Sequence, residues 1–161
     1  MAHDFITLFL LIIIANGTPV FMRFCLKNRL ATAIDFGASL PDGQRLFGTS
    51  KTWRGLAGAV LITSVASWLL GYSVVIGSTV AVLALLGDLF SSFIKRRLKL
   101  NPGSMALFID QIPESLLPAF ILMDQFGLDL MDVLFIVISF FIAELLLSRI
   151  FFMLGVRRAP Y

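Results

Sequence analysis

The chain has 161 residues, 58% of them hydrophobic and only 14% charged, with a formal net charge of +3. Soluble domains carry roughly 45–50% apolar and about 25% charged residues, and a chain this short buries too little of its surface to hide the excess from water. Soluble globular, disordered and disulfide-rich secreted classes are excluded, which leaves a multi-span membrane protein of a single domain, residues 1–161. One cysteine, Cys25, and one histidine, His3, also exclude disulfide frameworks, Cys/His metal sites and Ser-His-Asp triads. Chemistry must rest on carboxylates, lysines, arginines, hydroxyls and backbone.

A helix crossing a bilayer needs about 20 apolar residues. The first candidate, 5–22, is interrupted by Asn16, Gly17, Thr18 and Pro19, and it lacks the basic leader of a cleaved signal peptide, so it reads as a retained span. Asn16 beside a proline kink points to a polar side chain lining a cavity, or to a hydrogen bond within the bundle. A polar stretch, 23–54, follows, and its Asp35, Gly37, Pro41, Asp42, Gly43 and Gly48 argue for turns. Segments 55–70 and 72–86 form a hairpin about Gly71. A fourth region, 105–123, contains Asp110, Gln111, Pro113, Glu114 and Pro118, and Pro113 can break its helix. The fifth, 133–154, carries Glu144 and Arg149. The expected fold class is an all-α integral membrane protein with five transmembrane helices.

Charge orients it. Arg23, Lys27, Arg29, Arg45, Lys51 and Arg54 lie between spans one and two, and Lys95, Arg96, Arg97 and Lys99 between spans three and four. Arg149, Arg157 and Arg158 stand at or after the end of span five, which accounts for all 13 basic residues. Between spans four and five there are only Asp124, Asp129 and Asp132. Basic loops stay cytoplasmic, so the N-terminus is expected outside and the C-terminus inside, in the cell membrane.

The chemistry-bearing residues gather on the cytoplasmic side. If span three continues as a helix, Asp88, Ser91, Ser92 and Lys95 fall at i, i+3, i+4 and i+7 on one polar stripe; the alternative is a wetted helix end with snorkelling cations. Ionisable groups inside a membrane cost about 2.5–3.5 kcal/mol and ordinarily face a cavity or partner, which singles out Asp110 and Glu114, although Asp110 can also lie in a loop before a short span. Asp88 and Asp110, both on the basic side, point to a hard divalent cation and a polyphosphate: oxygen donors favour Mg²⁺ or Mn²⁺. The stretch Gly48-Thr49-Ser50-Lys51-Thr52 is not a P-loop, since Thr49 replaces the lysine after glycine, but it offers close backbone approach, hydroxyls and a lysine before a helix N-terminus. Trp53 reads as an interfacial anchor. Arg54 is a phosphate clamp or a simple topology marker.

Lys51-Thr52-Trp53-Arg54-Gly55, together with Gly87-Asp88-Leu89-Phe90-Ser91-Ser92-Phe93-Ile94-Lys95-Arg96 and Asp110-Gln111, resembles the CDP-archaeol synthase family, short relatives of CDP-diacylglycerol synthase. The resemblance extends over 35–55, 101–111 and the ending 154–161. It implies a cytidylyltransferase that joins CTP to a lipid phosphate and releases pyrophosphate, with a cavity facing the cytoplasm. It further implies Asp88 and Asp110 as Mg²⁺ ligands and Lys51, Thr52, Lys95 and Arg96 at phosphate-binding positions. The expected site comprises Asp88, Asp110 and Lys95 as catalytic residues, with Asn16, Lys51, Thr52, Ser91, Ser92, Lys95 and Arg96 on the nucleotide and Arg54 on the lipid phosphate. Expected partners are CTP, a membrane lipid phosphate, ether-linked or phosphatidate-like, and the bilayer, with no nucleic acid. The last span carries Glu144 and Ser148 where the archaeal pattern tends to have His and Asn. Asn101-Pro102-Gly103-Ser104 replaces a longer Gly- and His-containing segment of the larger relatives. The alternatives are a small transporter or assembly factor using Asp110, Glu114 and Glu144, and a CDP-alcohol phosphotransferase, of whose motif Asp42-Gly43-Gln44-Arg45 is only a fragment.

Overall fold

The computed structural model describes residues 2–100 and 106–155. Among them there is no β-strand, and five helices account for the fold: α1 (Ala2–Leu26), α2 (Trp53–Leu69), α3 (Val74–Arg97), α4 (Gln111–Ile121) and α5 (Leu130–Met153), with a 3₁₀ turn at Asp124–Phe126. Arg157, Arg158 and the segment 101–104 lie outside the described residues.

Local chemistry sets the helix ends. Ser73 caps α3 by accepting from the Ile76 amide at 3.2 Å. Asp129 and Asp132 form a reciprocal capping box at the start of α5, at 2.9 and 3.2 Å. Thr52 caps α2, its hydroxyl accepting from the Gly55 amide at 3.4 Å. The C-terminus of α3 carries Lys95, Arg96 and Arg97, where cations complement the helix dipole. Pro19 does not end α1, which runs on to Leu26.

The helix of span three continues past Leu86 to Arg97, the continuation that the polar stripe requires, because backbone hydrogen bonding is indifferent to the change from apolar to polar side chains after Gly87. One expectation changes. The fourth region is an 11-residue helix rather than a span of 105–123, roughly 16 Å long at 1.5 Å per residue. Pro113 lies in its first turn, where a missing amide costs nothing, so this proline starts the helix instead of breaking it. Three helices, in the segments His3–Leu26, Val74–Arg97 and Leu130–Met153, are long and apolar enough to cross a membrane; α2 has 17 residues and α4 has 11.

The interior is apolar at one end of the bundle and polar at the other. Leu8, Leu11 and Ile12 of α1, Val80 of α3, Ala119 of α4 and Ile136 of α5 are fully buried together. Towards the opposite end the buried residues are Ser91, Ser92, Lys95 and Arg96 of α3, Gln111, Glu114 and Ser115 of α4, and Ser148 of α5. The outward faces are apolar, with Leu61, Trp68, Leu69 and Met131 each about two-thirds exposed, as befits helices whose solvent is lipid.

The polar end depends on one close approach. A Cβ on Gly87 would lie 2.2 Å from the Pro113 carbonyl oxygen and 2.7 Å from the Glu114 amide nitrogen. Only glycine lets α3 and α4 touch backbone to backbone there, and the contact falls next to Asp88 and Glu114. Gly87→Ala is therefore expected to destabilise the bundle by about 2–3 kcal/mol, in the range of overpacked cores. Gly17→Ala, at a site with nothing within 4 Å of the new Cβ, should not. Thermal unfolding in detergent followed by circular dichroism compares the two; equal stability of the Gly87 variant and the wild type would contradict the packing.

Candidate active site

The loop between α1 and α2 forms one wall of the polar end. It turns through Lys27, Leu30 and Phe36, all with positive φ. Its centre is the Asp35 carboxylate, whose side chain is completely buried. One oxygen accepts from the Phe47 and Gly48 amides at 3.2 and 3.1 Å and from Arg45 Nε at 3.3 Å. The other accepts from the Gly37 amide at 3.1 Å and from Arg45 Nη2. Burial alone would raise the pKa of Asp35, but the Arg45 guanidinium and the three backbone amides outweigh it and hold the carboxyl at about 2.

Two more arginines strap the loop. Arg54 donates to the carbonyls of Arg29 and, at 2.6 Å, Lys27. Arg97, stacked over the Phe93 ring at 5.2 Å, pairs with Asp42 at 2.5 Å and donates to the Gln44 and Arg45 carbonyls at 3.3 and 2.7 Å. A short antiparallel pairing closes the loop: the Ile34 amide donates to the Lys51 carbonyl at 3.0 Å and the Trp53 amide to Thr32 at 3.1 Å.

Lys51 thereby reaches α3, where its Nζ lies 2.5 Å from both Asp88 oxygens. The Glu114 carboxyl of α4 is in hydrogen-bond contact with Asp88, and Asp110 also lies within the electrostatic field of Lys51. Burial works against the charge on Lys51, yet Asp88, Glu114 and Asp110 outweigh it and keep its pKa above the ordinary lysine value. Lys95, two turns beyond Asp88 on α3, pairs with Asp110 at 2.7 Å. Asp110 is held by the Ala106 amide at 3.0 Å. Asp88, Asp110, Lys51 and Lys95 thus form one network at the polar end. Among the described residues no three carboxylate, histidine or cysteine side chains are grouped to hold a metal by themselves.

Other expected site residues take different places. Ser91 and Ser92 are buried on the Asp88 side of α3 rather than on a wetted face, and the Ser91 hydroxyl donates to the Asp88 carbonyl at 3.0 Å. Arg96 is buried, and its Nε has no acceptor among the described residues. Thr52 serves as the α2 cap and Arg54 as a loop strap. Asn16 donates to the Ile12 carbonyl of its own helix at 3.1 Å. The approach of Glu114 to Asp88 and the Asp35–Arg45 and Asp42–Arg97 pairs were not anticipated. Gly87 beside an acid was the one available hint of the first; the two loop pairs have no periodic signature.

An apolar groove of about 560 Å³ runs down the outer face between α2 and α3, lined by Trp53, Leu56, Val60, Val82, Leu85 and Leu89 among others. Trp53 and Leu89, the chain neighbours of Thr52 and Asp88, are among its lining residues.

The α-helical bundle with long apolar helices defines an integral membrane protein, and it carries a largely buried network of acids and lysines at one end beside an apolar groove. The sequence profile of the CarS-like CDP-archaeol synthase family matches residues 5–75 and 69–161. The CDP-archaeol synthase of Thermofilum pendens is 36% identical over 155 residues, covering 92% of this chain and 76% of the relative. That of Sulfurisphaera tokodaii is 31% identical over 156 residues, covering 92% and 90%. A solved structure described as an intramembrane enzyme for archaeal membrane lipids biosynthesis superposes with a TM-score of 0.76 at 30% identity, covering 89% of this chain and 91% of the other. The chain belongs to the CDP-archaeol synthase family. It is a CTP-dependent membrane cytidylyltransferase whose product is a CDP-lipid.

The loop centre makes a prediction about pH. A carboxyl with a depressed folded pKa contributes stability above its unfolded value, near 3.9, and loses it as the pH falls through the folded value, about 2. The contribution is roughly 2 kcal/mol. The Gly48 amide resonance, followed by NMR in micelles, should move with a midpoint near 2. A midpoint near 4 would mean that the carboxylate is not held as described.

Proposed function

We propose that the reaction takes place at the Lys51–Asp88 and Lys95–Asp110 network, on the cytoplasmic side of the membrane, with CTP and a lipid phosphate as substrates and Mg²⁺ as cofactor. The observation that carries this reading is the convergence of part-buried Lys51 from the loop and Asp88 from α3 with buried Glu114 from α4. The whole chain acts as one embedded domain. All five helices sit in the bilayer, the N-terminus outside and the C-terminus inside. This orientation is supported by the basic residues of the α1–α2 loop and the α3 C-terminus at the site end, opposite Asp124, Asp129 and Asp132.

A lipid phosphate monoester is already an anionic nucleophile near neutral pH, so the chain needs no strong general base. One of its oxygens attacks the α-phosphorus of CTP, the bond from that phosphorus to the α–β bridging oxygen breaks, and pyrophosphate leaves. The task for the protein is to bring two anions together and stabilise the charge that develops on the leaving group. Lys51, Lys95 and Arg96 serve the triphosphate. Arg96 is suited to this because its guanidinium is buried and its Nε has no acceptor among the described residues, and Ser91 and Ser92 supply hydroxyls on the same face of α3. Asn16 and Arg54 stand nearest to their proposed roles only if their present backbone partners are exchanged for substrate.

Asp88 and Asp110 fit a magnesium ion. Mg²⁺ takes oxygen ligands and is ordinarily held by one or two carboxylates together with substrate phosphates, not by a complete protein cage. Both acids are paired with lysines whose ammonium groups have a natural alternative partner in the triphosphate. When bound, Mg²⁺ neutralises phosphate charge and favours departure of pyrophosphate. The groove between α2 and α3 suits the lipid tails, which would enter sideways from the bilayer while the phosphate reaches Asp88. The family name of the relatives favours an ether-linked archaeal lipid phosphate.

Asp88→Asn in detergent, assayed with labelled CTP and a panel of lipid phosphates, should lower CDP-lipid formation at least a hundred-fold, or about 2.7 kcal/mol in the barrier. Exhaustive chelation should abolish turnover of the wild type and excess Mg²⁺ restore it. Near-normal turnover of the variant, or activity indifferent to chelation, would overturn the assignment.

A further inference from the structure

We infer that Asp35, braced by Arg45, is a positioning residue for CTP binding: it sets the place of the loop segment 48–51 and so of the Lys51 ammonium. The inference rests on the reading that Lys51 meets the CTP phosphates. Both ends of that segment hang on two adjacent residues. Its start is fixed by the Phe47 and Gly48 amides donating to one Asp35 oxygen, and its end by the Ile34 amide donating to the Lys51 carbonyl at 3.0 Å. Gly48, at φ +91°, makes the turn between them in a conformation that other residues rarely adopt.

The same carboxylate ties the loop to α3. Arg45, which pairs with Asp35, offers its carbonyl to Arg97 Nη2 at 2.7 Å, and Arg97 ends the helix that carries Asp88 and Lys95. A continuous chain of contacts therefore runs from the segment holding Lys51 through Asp35, Arg45 and Arg97 to the helix that bears its partner. The partners of the Asp35 carboxylate among the described residues are Gly37, Arg45, Phe47 and Gly48, and not Asp88, Lys95 or Asp110, so its influence must pass through the loop. The carboxylate is fully buried and takes five donors from four residues. That arrangement spends no oxygen on substrate and fixes the centre of a loop that Arg54 and Arg97 strap elsewhere. Preorganisation of a binding side chain is worth more than its added contacts, because the cost of ordering it is met before the ligand arrives.

The test is a double-mutant cycle on the full-length enzyme in detergent. Asp35→Asn should raise the KM for CTP at least ten-fold while the KM for the lipid phosphate stays within two-fold. In a Lys51→Met background, itself impaired for CTP, the same substitution should change the KM for CTP less than two-fold, because the residue it positions is gone. Arg45→Met, which leaves the backbone donors to Asp35 in place, should act in the same direction with a smaller effect, and it carries the test if the Asp35 variant does not fold. Additive effects of Asp35→Asn and Lys51→Met, or equal rises in both KM values, would assign Asp35 a general structural role and overturn the inference. So would an unchanged KM for CTP in Asp35→Asn or Arg45→Met alongside an impaired Lys51→Met. A Lys51→Met enzyme with unaltered KM for CTP would instead overturn the functional reading beneath it.

Discussion

The ion pair between Lys51 and Asp88 brings together the three parts of the molecule that no local rule connects. A loop lysine, a helix acid and, through Glu114, a second helix meet at one largely enclosed point. Burying such charges is costly unless each finds a partner, so loop, α3 and α4 must each be in place for the others to be tolerated. Gly87 makes the α3–α4 side of this arrangement possible by admitting backbone contact, and Asp35 makes the loop side possible by fixing the segment that ends in Lys51.

The basic residues divide their labour. A cluster of cations on one membrane face reads as a field that attracts phosphates, yet Arg45, Arg54 and Arg97 are occupied with a carboxylate or carbonyls of the α1–α2 loop. Guanidinium groups suit this work, since their planar fork spans several acceptors at fixed angles. Lys51 and Lys95, compact charges on flexible stems, face the acids instead. A loop rich in glycine and positive φ is thereby made rigid without an apolar core of its own.

Much of this was legible in the amino-acid order. Composition and the placement of cations announced an α-helical membrane protein, and the spacing of Asp88, Ser91, Ser92 and Lys95 announced a single polar stripe, which lies buried inside the bundle. Hydropathy was less reliable at helix ends: it marks only the apolar part of α3, and the rest of that helix had to be read from the spacing of its polar residues, while it lengthened span four across Phe108, which has φ +67°. The acids and lysines of the network were found because charge inside an apolar segment is conspicuous. Asp35, Arg45, Asp42 and Arg97 were missed as partners because they lie in polar segments where charge is ordinary, and because pairing across 10 or 55 residues leaves no periodicity to detect. Arg54 reads from sequence as a phosphate clamp or a topology marker, and the carbonyls it meets are brought close by the turn after α1, which sequence order does not reveal.

The central claim is that Asp88 and Asp110 face a common cation bound with the nucleotide. Anomalous scattering from Mn²⁺ in crystals grown with CTP tests it most directly. The account predicts a peak bounded by these two carboxylates, with Lys51 and Lys95 turned from them to the triphosphate. A nucleotide-associated peak remote from both, with the two lysine–aspartate pairs intact, would contradict it.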